Sequence, residues 1–332
     1  MANGSGQFEA QVAPHRRALV AYSYRMLGSW SDAEDAVQEA LVRAWKNLDA
    51  LEGADALRSW LFQIATRTCL DLLAQRKRRH LPDEVAPPAQ PGDEPRPDPL
   101  HEYIEPAPAS ALDLEPGPET VVSRRQSVAL AFLVTLQALP ASQRAALVLK
   151  DVMGFSAEET AKHLDTTVAA VNSLLQRARA SLDEASPRWA RRASEDKERD
   201  LLGRYLRVWE SSDVAGLISL LREDATLTMP PMALWFRGLE AITGFLGSAL
   251  FAPAVDAQRF KAVPVEAAGH LGLAISMRKG PGEPWEPAGV HLVEAEGDQL
   301  VHVVAWVDPK LTARFLAPGS ATQPGPMRAT GA

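Results

Sequence analysis

The chain has 332 residues, a hydrophobic content of 46% and a formal net charge of −7. Its length suits roughly two or three domains, and it has no run of about 18 apolar residues that would mark a membrane-spanning helix. One cysteine, Cys69, excludes an intramolecular disulfide and fits a reducing compartment.

The acidity is unevenly spread. Residues 1–80 carry 11 basic and 9 acidic side chains, residues 81–120 carry 1 and 10, and residues 121–200 carry 12 and 10. The net charge therefore says little about whether the outer segments bind nucleic acid. The N-terminus, MANGSGQFEAQVAPHRR, lacks the apolar core of an export signal, which points to a cytoplasmic protein.

Residues 8–80 have helical periodicity. Ala18 to Leu27 is a first amphipathic run. Ser31 and Glu34 have the spacing of a capping box that opens SDAEDAVQEALVRAW. Its apolar stripe is Ala33, Val37, Ala40, Leu41 and Ala44, and Asp32, Asp35, Gln38 and Glu39 lie largely outside it. A third segment, LRSWLFQIATRTCLDLLAQRKRR, offers Trp60, Leu61, Ile64, Leu70 and Leu73 to a core, with Cys69 buried and inert among them. It ends in the basic run Arg76, Lys77, Arg78 and Arg79. These cations, with Arg58, Arg67 and the aromatics Trp45, Trp60 and Phe62, suit an unpaired strand, whose phosphates are neutralised while its bases stack. A solvated charged face over core aromatics is the simpler alternative.

Residues 81–120 read as a linker. They hold 11 of the 25 prolines and few aliphatic side chains, so they cannot bury enough surface to fold alone. A passive tether is the default, and an acidic strand that mimics nucleic acid is the functional alternative. A helix follows over 121–138.

Leu139 to Leu182 reads as a helix-turn-helix behind a supporting helix. Ser156 and Glu159 form a capping box, Asp165 sits in a turn that needs a left-handed residue, and Thr166 or Thr167 caps the second helix. Val171, Leu175, Ala178 and Leu182 share the inward face of that helix. Thr167 at its start, with Ala169, Ser173, Gln176 and Arg177 on the opposite face, forms a small, polar, cationic surface suited to a major groove, with Asn172 and Arg179 on the flanks. An ordinary amphipathic helical hairpin would share the periodicity.

After the short connection Ser186 to Arg192, two helices are marked by Leu201, Leu202, Tyr205, Leu206 and Trp209, then by Leu217, Leu220 and Leu221. LTMPPMALWFRG predicts a strand, a proline turn and an exposed aromatic pair, Trp235 and Phe236, beside Arg237. A helix near Glu240–Leu250 and strands near 259–265, 271–277, 288–294 and 300–307 complete an α+β domain. His302, Val304 and Trp306 share one strand face, His291 lies on another strand, and Asp308 ends the last one. A small-molecule pocket lined by Trp209, Trp235, Trp285 and Trp306 is one reading of these aromatics. Satisfied core histidines are the simpler one.

These motifs carry a resemblance. DAEDAVQEA with RAW and WLFQIAT resembles domain 2 of sigma-70 family transcription initiation factors, and LPASQR, GFSAEETAKHL and TVAAVNSLLQRARASL resemble domain 4. Asp165 stands where glycine is usual in that family, Leu174 where a basic residue is frequent and Arg67 where asparagine is common. The two-domain arrangement resembles the small extracytoplasmic-function (ECF) group, and the C-terminal part resembles the SnoaL-like cone fold that a subset of that group carries.

The resemblance implies a multidomain chain. Two all-α sigma domains, 8–80 and 121–186, are joined by the acidic proline-rich linker 81–120 and followed by a SnoaL-like α+β cone at 194–318. It implies that Asp32, Asp35, Gln38 and Glu39 face core polymerase. Arg58, Trp60, Arg67, Arg76 and Lys77 would serve the −10 element, with the loop from Asp49 to Leu57 holding an extruded base. Thr167, Ala169, Ser173, Gln176 and Arg177 would read the −35 element. Trp235, Phe236 and Arg237 are candidates for a regulatory interface. The implied partners are core RNA polymerase, through its β′ clamp and β flap, and promoter DNA. No catalytic residue, metal, cofactor, membrane contact or separate anti-sigma factor is called for. The alternatives are a helix-turn-helix regulator acting without polymerase, and a DNA-binding module fused to a SnoaL-like enzyme.

Overall fold

The computed structural model describes residues 2–51, 53, 56–90, 92–112, 130–185, 195–249, 251 and 259–317. The start of the 121–138 helix, the 186–192 connection and part of the 49–57 loop lie outside these residues. The chain divides into two compact units. One holds Met1–Arg79, Ile104–Ala107 and Ala111–Arg188; the other holds His80–Tyr103, Pro108–Ser110 and Trp189–Ala332.

In the first unit, α1 (Ala2–Leu27), α2 (Trp30–Lys46) and α3 (Leu57–Gln75) pack together. The N-cap of α2 is Ser29 rather than Ser31: Ser29 Oγ accepts from the Asp32 amide. Ser31 is taken by a residue distant in sequence. The Glu105 carboxylate accepts from Ser29 Oγ at 2.6 Å, Ser31 Oγ at 3.1 Å and the Ser31 amide at 3.3 Å. An anion is favoured there by the unpaired amides of the helix start. Tyr24 Oη donates to the Glu105 carbonyl and the Glu105 amide donates to the Gly28 carbonyl, so this stretch of the linker is anchored where α2 begins.

Leu130–Ala138 forms α4 and Ala141–Leu147 forms α5, which runs into a π-helical turn at Val148–Val152. Ala157–His163 (α6) and Val168–Ala185 (α7) form the helix-turn-helix. The capping box of Ser156 and Glu159 is present, Asp165 has φ 51°, and Thr167 Oγ1 accepts from the Ala170 amide. Val171, Leu175 and Ala178 are buried.

The sigma-2-like and sigma-4-like helices share one packed core. Arg144, 4% exposed, donates to the carbonyls of Met26, Gln137 and Leu139 and to Gln137 Oε1, and Gln137 Nε2 donates to the Arg25 carbonyl. Burial pushes the Arg144 guanidinium down to about 10; four oxygens accept from its two Nη groups, while its buried Nε has no hydrogen-bond partner. Gly28 has φ 71°, and a Cβ there would come within 2.8 Å of Gln137, so both the backbone and the packing require glycine.

In the second unit, α8 (Glu195–Ser211) and α9 (Val214–Leu220) precede a six-stranded sheet. The strands are β1 (Leu221–Thr228), β2 (Trp235–Arg237), β3 (Phe260–Ala267), β4 (His270–Met277), β5 (Glu286–Glu296) and β6 (Gln299–Trp306), in the order β2-β1-β6-β5-β4-β3. Helix α10 (Leu239–Ala249) follows β2. β1 pairs with β6 in parallel; the other pairs are antiparallel. A final helix, α11 (Pro309–Leu316), capped by Asp308, packs on β5.

The linker from 80 to 103 is not a bare tether. The Ala89 amide donates to the Trp235 carbonyl at 2.7 Å, Trp235 Nε1 donates to the Ala86 carbonyl at 2.8 Å, and Pro97 bridges to Met232. Leu81 and Tyr103 are buried, and Tyr103 Oη donates to Asp98. A few apolar side chains suffice because the neighbouring domain supplies the rest of the core.

Candidate polymerase and nucleic-acid interfaces

On α7, Thr167, Ala169, Ser173, Gln176 and Arg177 are all exposed, opposite the buried stripe. Arg179, placed on the flank from sequence, has another task. It forms a bidentate pair with Asp151 at 2.9 and 2.7 Å, and Asp151 is 2% exposed. That pair ties the recognition helix to the supporting π-helical turn and holds the guanidinium above its ordinary range.

On α2, Asp35, Gln38 and Glu39 are exposed, with Glu39 paired to Arg43. Asp32 differs: its carboxylate is only 14% exposed and is bonded to Arg76 and, at 2.5 Å, to Arg79. The basic run at the end of α3 therefore folds back onto the acidic helix. Lys77 and Arg67 are exposed, and Trp60 is half-buried. Of the aromatics expected to stack on bases, Phe62 is fully buried. Trp45, 41% exposed, packs against Phe8.

Arg58 is exposed as a residue, yet its guanidinium packs back against the unit. Its guanidinium lies 4.2 Å from the Phe155 ring centroid and 5.3 Å from that of Phe62, and it donates to the Met153 carbonyl at 2.9 Å. Ser59 Oγ and His163 Nε2 are 2.9 Å apart, and Gln63 Nε2 donates to the Lys162 carbonyl. Phe155 packs edge-on against both Phe62 and His163. Burial lowers the Arg58 pKa and pushes His163 down to about 4, so the imidazole is neutral at physiological pH. α3 thus presents Arg58, Ser59, Phe62 and Gln63 to α6 and the loop before it, a latch between the two sigma-like halves.

The exposed aromatic pair of the C-terminal domain is corrected. Phe236 is fully buried and stacks on Phe245 at 4.5 Å. Strand alternation turns Phe236 inward and leaves Trp235, half-buried, to take the linker, while Arg237 is exposed. The tryptophan pocket is corrected as well. A small cavity of about 50 Å3 is lined by Tyr205, Trp209, His291 and apolar side chains including Val303, Ala305 and Val307. Trp306 and His302 lie at the alternate strand positions, Trp285 is 40% exposed, and Trp235 holds the linker. His291 Nδ1 is 2.9 Å from Tyr205 Oη, and burial pushes the imidazole down to about 3. His302 Nδ1 meets Thr226 Oγ1 at 2.6 Å, and Asp308 is engaged as a helix cap, so neither forms an acid–base pair with the other. Among the described residues no cluster of His, Cys, Asp and Glu has metal-binding geometry.

Comparison with known proteins identifies the domains. The family model for sigma-70 region 2 matches residues 12–79, that for sigma-70 region 4 matches 129–182, and that for the SnoaL-like domain matches 202–303. The ECF RNA polymerase sigma factor SigG of Mycobacterium tuberculosis is 39% identical over 325 residues, covering 95% of this chain and 85% of that protein. SigJ of the same species is 30% identical over 220 residues, covering 64% of this chain and 62% of that protein. The crystal structure of SigJ shares the fold, with a TM-score of 0.55 at 21% identity over 96% of this chain and 99% of that one. With a helix-turn-helix and relatedness along nearly its whole length, the chain belongs to the ECF RNA polymerase sigma factors and carries a SnoaL-like domain in its C-terminal part.

Proposed function

We propose that this sigma factor is held closed when free and opens as core polymerase binds. The supporting observation is the latch from Arg58 to Phe155 within one shared core. A compact unit of about 160 residues has a radius of gyration of roughly 15 Å, or about 40 Å across. The −35 and −10 elements are roughly 25 base pairs apart by name, which at about 3.4 Å each is more than 80 Å. A unit of that size cannot place α7 on one element and α3 on the other.

In this reading, residues 8–80 dock on the polymerase clamp through Asp35, Gln38 and Glu39 and serve the −10 element. Residues 121–186 place the exposed face of α7, centred on Arg177, on the −35 element. Residues 194–318 act as a regulatory domain in cis, by holding the linker through Trp235 rather than by catalysis. Among the described residues the polar groups of the cavity wall are Tyr205, Trp209 and His291, with no carboxylate, which favours this over an enzyme. The test is run-off transcription from a promoter library with core polymerase and the full chain. Promoter-specific transcripts that weaken on Arg177→Ala are expected; transcription no greater than with core alone would overturn the reading.

A further inference from the structure

We propose that the small cavity of the C-terminal domain binds a neutral molecule with an apolar body and one hydrogen-bond acceptor, of the class of short ketones, which the indole N–H of Trp209 recognises. The site belongs to that domain alone and asks nothing of the sigma-like helices. Helix α8 contributes Tyr205 and Trp209, β5 contributes His291, and apolar side chains of α9, α10, β1 and β6 complete the wall.

Trp209 is 4% exposed, and its Nε1 is buried with no hydrogen-bond partner. It comes near Tyr205 Oη but lies outside hydrogen-bond geometry. The Tyr205 hydroxyl is already engaged, 2.9 Å from His291 Nδ1. A buried donor left unpaired is costly, so an acceptor entering the cavity is favoured beside the indole. The rest of the wall decides what carries that acceptor. Among the described residues no charged side chain lines the cavity, and burial keeps the His291 imidazole neutral. An anion would lose its hydration there and meet no cation, so the ligand is neutral. The volume of about 50 Å3 holds roughly three to five water-sized groups at about 10–15 Å3 each, which is a carbonyl with its flanking carbons. Val307 lines the cavity and is 41% exposed, so the cavity reaches the surface there and a ligand has a way in.

The test is an NMR titration of the full-length chain, labelled at its isoleucine methyl groups, with acetone. Ile242 lines the cavity, Ile218 is exposed on α9, and Ile64 and Ile104 lie in the other unit. The Ile242 signal should shift saturably while Ile64 and Ile104 stay in place. Isobutene has the same shape with a CH2 group in place of the oxygen, and should bind about 10-fold more weakly for want of one buried hydrogen bond. Acetate, equally small but charged, should leave Ile242 unmoved. Trp209→Phe keeps an aromatic ring and removes the donor, so it should erase the preference for acetone over isobutene. Ala305→Leu fills the cavity and should abolish the Ile242 shift, with Ala305→Val as the smaller filling substitution where the leucine variant fails to fold. An Ile242 signal that acetone does not move, or a shift confined to Ile218, would overturn the proposal. So would equal binding of acetone and isobutene, or a preference for acetone that survives Trp209→Phe.

Discussion

Arg58 separates two roles that make opposite demands. By resemblance it serves the −10 element, whereas its guanidinium is placed over Phe155 and bonded to the Met153 carbonyl. Arg58→Ala removes a cation–π contact of about 0.5–2 kcal/mol and a hydrogen bond from a charged donor of about 1.5–3 kcal/mol. Because the residue is partly open to water, about 2–3 kcal/mol is a reasonable net loss for the closed state. If only the open form binds core, apparent affinity scales with the open fraction. At about 1.4 kcal/mol per tenfold, loosening the latch should tighten core binding by up to about 30- to 140-fold, ending where the open form already dominates. The assay is a fluorescence titration of core polymerase with labelled wild-type and Arg58→Ala proteins. Unchanged core affinity together with weaker promoter binding would show that Arg58 is a DNA contact and that the latch contributes nothing.

Arg177→Ala should cost about 1–3 kcal/mol of discrimination at one −35 position, read by competition binding across single-base variants. Arg179→Ala should instead destabilise the fold by about 2–3 kcal/mol, because it strands the buried Asp151, and denaturant unfolding measures that loss. Trp235→Ala should release the linker and speed proteolysis between 80 and 103 without altering the affinity of α7 for −35 DNA; Phe236→Ala, by contrast, should unfold the domain. Stability should also depend on pH through His163. The unfolded imidazole binds a proton near pH 6.5 and the folded one near 4, so this contribution is fully present above about 6.5 and is lost as pH falls toward 4. The loss is on the order of 3 kcal/mol, and thermal melts of His163→Gln should show a flatter acid limb.

What was legible in the sequence was local. The helix-turn-helix depends on a capping box, one left-handed residue and a 3.6-residue stripe, each encoded within a few positions of itself. The strands near 260, 271, 288 and 300 were visible through β-branched runs and turns. The cap of α2 was misplaced because Glu105, 74 positions from Ser31, occupies the serine that local spacing had favoured. The latch joins residues about a hundred positions apart, and no spacing rule reports that Arg58 meets Met153. The linker's composition described its inability to fold alone but not the partner that completes it. Phe236 was read as exposed because a three-residue strand is too short for alternation to declare itself. The parallel pairing of β1 with β6 and the final helix α11 likewise depend on the rest of the sheet being in place.

The closed-to-open change can be measured as one distance. Lys46→Cys at the end of α2 and Asp183→Cys near the end of α7 place labels on exposed positions of the two sigma-like halves, and Cys69, fully buried with its thiol pushed up to about 12, does not compete for the label. In free protein the two labels should lie within about 40 Å, the span of one compact unit of this size. With core polymerase and promoter DNA the distance should exceed about 60 Å, as the separation of the two promoter elements requires. A long distance already present in the free protein, or a short one retained in the initiation complex, would contradict the scheme.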